Sequence, residues 1–470
     1  MRPTIPTVQD RQQRVSRKSV ALAHSARFFL VLRATSFGTL LVLSLLVLIW
    51  QVVLTSQGAI DFCPDYIASR RLLQGTFPYL PLHLWPGYSS CAVPIDYNVH
   101  PPTSLLLLVP FALLAKAPAF LLWGCICLAA YVASVCLLLR ALGWFSLRNS
   151  TLCIGASLFW SPLIAAEGSL NFFQLLTLLL AAAWVLERKG YAGWAGILLG
   201  LASLLKLWPA AFLLSAVLRR QKRLAVSGGL VFGLGILLSL VVVGPEAYLA
   251  YFGPVQRATL SLVPIETNTS VVGAITRLWT GSYDPFWNPP FRLSALVGGL
   301  DLPQANLVGE IVAVLLVVAT LALIWWTHRQ FQHGPVEVLS QGLLVTVLLL
   351  AFPLSWYAGL ITLLLPGATI ILALRQLPKP GRWWLVLLGL STLALCIPEV
   401  MLVFYQRWFP VLQAIHLAGW GTIVVGFPTW ALLLLAGLQA HLLWRARKVQ
   451  GVRSQGSLQP SANVDVEVGT

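Results

Sequence analysis

Charge is what this sequence has least of. Only 10% of its 470 residues are Asp, Glu, Lys or Arg, and just 15 of them are acids. Soluble domains carry about 25% charged residues and disordered segments are polar and charge-rich, so both classes are excluded. Other things are missing too. No Gly-rich loop ends in Gly-Lys-Ser/Thr, which removes an ATP-driven pump. His83, His100, His328, His333 and His416 are scattered and no pair has metal-ligand spacing, so neither a metal nor another cofactor is expected. No period of 20 to 50 residues repeats and the two halves show no similarity, which counts against an inverted-repeat transporter.

What is present is apolar. Hydrophobic residues make up 58% of the chain and the mean hydropathy is +0.81, the composition of a membrane protein. Apolar stretches at 34–58, 117–139, 150–166, 171–186, 191–205, 207–219, 224–243, 306–327, 338–352, 357–375, 383–403 and 417–444 predict an all-α polytopic fold of about 10 to 12 transmembrane helices. The first stretch is too long for a signal-peptide core and reads as a retained anchor. Segments 191–205 and 207–219 are short and meet at Lys206-Leu207-Trp208-Pro209, the pattern of half-spans around a polar point.

The net charge of +16 suggests a polyanion surface, but the placement of the cations gives a different reading. With the N-terminus in the cytoplasm, 23 of the 31 basic residues fall inside, and 10 of the 15 acids fall outside or near outer ends. Topology therefore explains the surplus, no nucleic-acid partner is expected, and both termini are cytoplasmic. Three parts follow: a basic tail at 1–33, a membrane domain at 34–444 and a polar tail at 445–470. Inner loops are short, whereas the outer segments 61–102 and 244–305 are long and rich in Pro, Trp, Tyr and Gly. Ordered interfacial loops have that composition, so function is expected on the outer face.

Several residues there have chemistry to offer. Asp61 and Asp65 stand where the first stretch leaves the bilayer; each is either a hydrated interfacial acid or a general base. Lys206 is a lone cation at an outer end, either snorkelling or holding a phosphate leaving group. Arg277 and Arg292 offer the same choice. Asn171 and Gln174 are spaced to share a helix face, for a sugar or for a neighbouring helix. Ser355-Trp356 sits between two spans, and Asn268-Thr269-Ser270 fits a glycosylation sequon. Cys63 and Cys91, both in the first outer loop, are a disulfide candidate if that side is oxidising, or two free thiols.

Taken in order, the motifs resemble a known family. The run Asp61-Phe62 with Tyr66 and Ala68 is followed by Gly75 with Pro78-Tyr79, then Tyr97 through Pro101-Pro102. Next come Gly168 with Asn171, Ala192-Gly193 to Lys206 and Pro209, Arg219-Arg220, Asn268 and Ser270 with Gly273 and Arg277, and Ser355-Trp356. Over about 35–375 this pattern is similar to glycosyltransferase family 87, membrane enzymes of the GT-C type that include polyprenyl-phosphate-mannose-dependent α-mannosyltransferases. It departs from the pattern at Ser169, where Gln is usual, and at Ala358, where His is usual.

The resemblance implies an extracytoplasmic active site in a bacterial plasma membrane and a polyprenyl-phosphate-linked sugar donor. It puts the catalytic base at Asp61, with Asp65 second, and the acceptor is a glycolipid or polysaccharide. Lys206, Arg277 and Arg292 are candidates for the donor phosphate. Tyr66, Tyr79, Asn171, Gln174, Asn268, Ser270, Ser355 and Trp356 are candidates for substrate contact. The expected reaction is inverting transfer of a hexose, mannose first. A transporter or flippase for a polyprenyl-linked sugar and a catalytically inactive relative are the alternatives.

Overall fold

The computed structural model describes residues 35–50, 53, 61–85, 96–256, 260–284, 291–329, 334–378, 380–396, 407–411, 413–415 and 418–456. Its elements begin with α1 (Thr35–Trp50), α2 (Phe62–Leu73), α3 (Pro102–Ala112), α4 (Lys116–Ala141) and α5 (Leu147–Ser157). Next are α6 (Ser161–Ser169), α7 (Phe173–Arg188), α8 (Ala192–Leu205), α9 (Ala210–Leu218), α10 (Lys222–Val242), α11 (Pro245–Ala250) and a π turn at Tyr251–Val255. Then come α12 (Val271–Thr280), the hairpin β1 (Ser282–Asp284) and β2 (Phe291–Leu293), α13 (Leu302–His328) and α14 (Pro335–Ala351). A 3₁₀ segment at Tyr357–Leu363 leads into α15 (Leu364–Gln376), α16 (Arg382–Cys396), α17 (Gly421–Val425) and α18 (Phe427–Gly456).

Apart from one hairpin, then, regular structure among the described residues is helical. Among the described residues, five helical stretches are long and apolar enough to cross a bilayer: α4, α10, α13, Tyr357–Gln376 and Phe427–Gln450. The pair α5 and α6 is a sixth if taken as one span, bent by 70°. The apolar helices α1, α3, α8, α14 and α16 are shorter, at 10–17 residues. The chain is an all-α polytopic membrane protein. Part of the expected first span, and Cys91 of the first outer loop, lie outside the described residues.

Much of the two segments read as loops is itself regular. Pro102 and Pro245 stand in the first turns of α3 and α11, where a missing N–H leaves nothing unpaired. The Ser270 hydroxyl accepts from Gly273 N–H at 2.9 Å and starts α12. Asp301 and Gln304 form a reciprocal capping box that starts α13. Close backbone approach joins α8 to α10: a Cβ on Gly196 would meet Leu224 O at 2.3 Å, and one on Gly228 would meet Gly196 O at 2.8 Å.

What positions the site is an aromatic cluster under α2. Phe62 stacks on Trp123 of α4 with ring centroids 5.5 Å apart and planes 9° from parallel, and Phe120 meets it edge-on at 4.8 Å. Trp123 donates its indole N–H to Leu170 O at 2.8 Å. That contact ties α4 to the turn between α6 and α7.

Candidate functional site

Asp61 precedes the first turn of α2, and its backbone N–H donates to Ser169 O at 3.1 Å. Leu170, next in the chain, adopts the left-handed conformation with φ 50°, a strained choice for a branched side chain that the Trp123 bond holds in place. The turn brings Asn171 to Asp61, and its amide Nδ2 donates to Asp61 Oδ2 at 2.7 Å. Asp61 keeps partial exposure while Asn171 is buried. A half-open carboxylate with one oxygen fixed, and no donor to the other among the described residues, is equipped to take a proton from a bound hydroxyl.

Lys206 lies in the break between α8 and α9, outside the membrane-spanning helices, and is only 7% exposed. Its ammonium stands over the Phe173 ring, 4.3 Å from the centroid. Burial pushes the ammonium down to about 8, against the pull of Asp61 and Asp65. The lysine therefore stands within electrostatic reach of both acids, at the break between α8 and α9.

Asp65 is placed differently. It is 2% exposed, accepts from Asn98 Nδ2 at 3.0 Å, and its Oδ2 lies 2.8 Å from His100 Nδ1. Asn98 in turn accepts from the His100 backbone N–H at 2.8 Å, and Tyr79 donates to His100 O at 2.6 Å. This buried network staples α2 to the segment leading into α3. Asn98 and His100 were missed in the sequence, because a partner 33 residues from Asp65 leaves no local spacing to read.

The other candidates divide. Tyr66 donates to Leu114 O at 2.8 Å, so its hydroxyl, like that of Tyr79, joins backbone. Asn171 and Gln174 do not share a helix face, because α7 starts only at Phe173. Gln174 Nε2 turns instead to Glu167 Oε1 at 3.4 Å, and the amide oxygens of both residues lack a hydrogen-bond donor among the described groups. Asn268 donates to Val263 O and Pro353 O at 2.8 and 2.7 Å and accepts from the N–H groups of Ser270 and Ser355, each at 3.1 Å. Ser270 also donates to Pro353 O at 3.1 Å, and Asn268 bridges Trp356 by backbone. Together they clamp the start of α12 to the turn before the 3₁₀ segment.

Arg277, fully buried on α12, donates through Nη1 to Ile265 O at 2.8 Å and Asn268 O at 3.1 Å, leaving Nε and Nη2 without acceptors among the described groups. Burial pushes its guanidinium down to about 10, with Tyr357 and Glu266 opposing. Arg292 is exposed on β2, its guanidinium 5.4 Å from the Tyr283 ring centre. Cys63 is disulfide-bonded, whereas Cys125, Cys127, Cys136, Cys153 and Cys396 are free; Cys91 lies outside the described residues.

Fold and site define a polytopic membrane protein with a carboxylate, an amide and a buried ammonium gathered where helices end. The chain belongs to glycosyltransferase family 87, whose family model matches residues 98–353, and it is a membrane glycosyltransferase. The matched stretch contains His100, Asn171, Lys206 and Arg277, whereas Asp61 and Asp65 precede it. The chain is similar to alpha-(1->3)-arabinofuranosyltransferase of Mycobacterium tuberculosis, at 24% identity over 393 residues and 80% of each chain. It is also similar to that organism's polyprenol-phosphate-mannose-dependent alpha-(1-2)-phosphatidylinositol mannoside mannosyltransferase, at 24% identity over 331 residues, 63% of this chain and 74% of the relative. The corresponding pentamannoside mannosyltransferase is 28% identical over 257 residues, 52% of this chain and 55% of the relative. No solved structure matches the chain.

Proposed function

We propose that the protein transfers a sugar from a polyprenyl phosphate to an acceptor hydroxyl by a single inverting displacement, with Asp61 as general base. The acceptor oxygen bonds to the anomeric carbon, the carbon–oxygen bond to phosphate breaks, Asp61 takes the hydroxyl proton, and polyprenyl phosphate leaves. Lys206 faces the phosphate and stabilises the charge that develops on it; a fixed cation in a water-poor site is most effective at that point. Asn171 holds Asp61 in register, and the acceptor-free Nε and Nη2 of Arg277 make it the second candidate for phosphate.

The observation that carries this reading is Asp61 fixed by Asn171 while Lys206, buried, feels its charge. Asp65 is the weaker base, because Asn98 and His100 already engage both of its oxygens. Two relatives are named for dependence on polyprenol-phosphate-mannose and act on phosphatidylinositol mannosides, which favours a polyprenyl-linked hexose donor and a glycolipid or polysaccharide acceptor. Mannose is the first donor to test and arabinofuranose the second, given the arabinofuranosyltransferase relative matched over 80% of each chain. The reading places residues 34–444 as one catalytic domain in the plasma membrane, with both termini cytoplasmic and the site outside.

The test is transfer by the purified full chain in lipid, with radiolabelled polyprenyl-phosphate sugars and membrane glycolipid as acceptor. Wild type yields labelled glycolipid and released polyprenyl phosphate, and Asp61→Asn yields neither. Undiminished transfer by Asp61→Asn removes Asp61 as base.

A further inference from the structure

A cavity of about 530 Å³ lies between α4, α5, α15 and α16, away from the acid–lysine site. Its walls are almost wholly apolar, with Leu138, Leu142, Ile371, Leu388 and Leu395 among them, and the paired hydroxyls of Tyr131 and Ser157 lie at its inner end.

Helix α4 gives the cavity's depth. Trp123, bonded to the turn that carries Asn171, and Leu142, at the cavity mouth, lie about 29 Å apart along the helix at its rise per residue, close to the full hydrocarbon thickness. From Tyr131 to Leu142 the same wall runs about 16 Å, one leaflet deep. The cavity thus occupies the leaflet opposite the acid–lysine site.

The mouth is cationic. Arg375 donates to Leu142 O and stands 4.5 Å from the Trp144 ring centre, while Arg140 stands 4.4 Å from that of Phe145. Both arginines are exposed, and Arg148 and Arg382 are exposed on the neighbouring first turns of α5 and α16. An aromatic pair with arginines over it is suited to the headgroup plane. Apolar walls alone do not select a lipid, since bilayer tails are just as apolar, so selection falls to the charges at the mouth.

We propose that this groove binds one acyl chain of an anionic phospholipid from the leaflet opposite the transfer site, with the headgroup phosphate at Arg140 and Arg375. The site is separate from the donor site and does not depend on the proposed reaction. Gly367 offers a direct probe: it lines the groove, and a Cβ there would meet no atom within 4 Å. A leucine at that position starts from that open point and puts its side chain into the groove.

The full chain is placed in nanodiscs of phosphatidylcholine containing trace phosphatidylglycerol or phosphatidylcholine with a photoactivatable acyl chain, and labelled peptides are mapped. The groove helices are expected to label roughly thirtyfold more from phosphatidylglycerol, the preference two arginines supply. Gly367→Leu removes that labelling. Arg140→Gln with Arg375→Gln leaves the groove open but makes the two probes equal, so the proposal stays testable if the leucine variant misfolds. Equal labelling by both probes in wild type overturns the proposal, as does unchanged labelling in Gly367→Leu. Displacement of the label by a polyprenyl phosphate also overturns it, by assigning the groove to a donor-type lipid.

Discussion

Asn171 reaches Asp61 across 110 residues of chain to donate a 2.7 Å hydrogen bond, and the residue before it, Leu170, holds a left-handed backbone that directs it there. The proposed base and its orienting amide therefore sit on separate elements, joined by a turn whose strain Trp123 offsets. Asp61→Asn is expected to lower kcat by about 10²–10⁴-fold with thermal stability retained. Asn171→Ala keeps the carboxylate but frees its rotamer, giving a loss of roughly tenfold, the scale of one hydrogen bond to a charged group. Turnover assays beside melting curves in detergent separate the two.

Asp65 predicts the opposite pattern. It and His100 are buried together, and leaving a buried polar group without its partner costs about 1–3 kcal/mol. Asp65→Ala and His100→Ala should each lower the melting temperature strongly, whereas Asp61→Asn does not. If Asp65→Ala melts like wild type yet loses all transfer, Asp65 is the base.

As the proposed phosphate ligand, Lys206 predicts a pH limit on donor binding. With its ammonium pulled down to about 8, it is charged below that pH and neutral above it in the free protein. Donor affinity should fall as pH rises through about 8, and Lys206→Arg should keep affinity level to pH 9.5, since guanidinium stays charged. Binding of a fluorescent polyprenyl phosphate across pH 6.5–9.5 reads this directly. A wild-type affinity that does not change with pH removes Lys206 from the phosphate.

The glycine seam between α8 and α10 makes a stability prediction. A Cβ on Gly228 meets both the Leu213 side chain, at 2.4 Å, and Gly196 backbone, so Gly228→Val forces the helices apart. The expected loss is about 1–3 kcal/mol. Gly229→Val, one residue on with no atom within 4 Å, should be nearly neutral.

Composition alone carried the membrane class, because bilayer thickness and backbone polarity leave few alternatives. Motif order carried Asp61, Asn171 and Lys206, each at a break in the helical pattern where a polar group has an evident place. The resemblance ranked Asp61 before Asp65, but the residues themselves gave no physical reason for it: both precede Arg70-Arg71 in one apolar setting, and only the fold brings Asn98 and His100 to one of them. Asn268, Ser270 and Ser355 were ambiguous for a chemical reason, since the groups that bind a sugar hydroxyl also bind a backbone carbonyl. Gln174 was misplaced because its pairing with Asn171 needed a helix starting before Phe173.

Helix α10 is scarcely covered by protein: its outward residues Leu230, Leu234, Leu237, Leu238 and Val241 are all exposed, and its contact with α8 runs along glycine. Selection acts on such a helix along one stripe. Its outer face can drift freely among Leu, Ile, Val and Phe, since lipid distinguishes them weakly, while the seam tolerates almost no exchange. Across relatives, α10 should look divergent in sequence while remaining fixed in register.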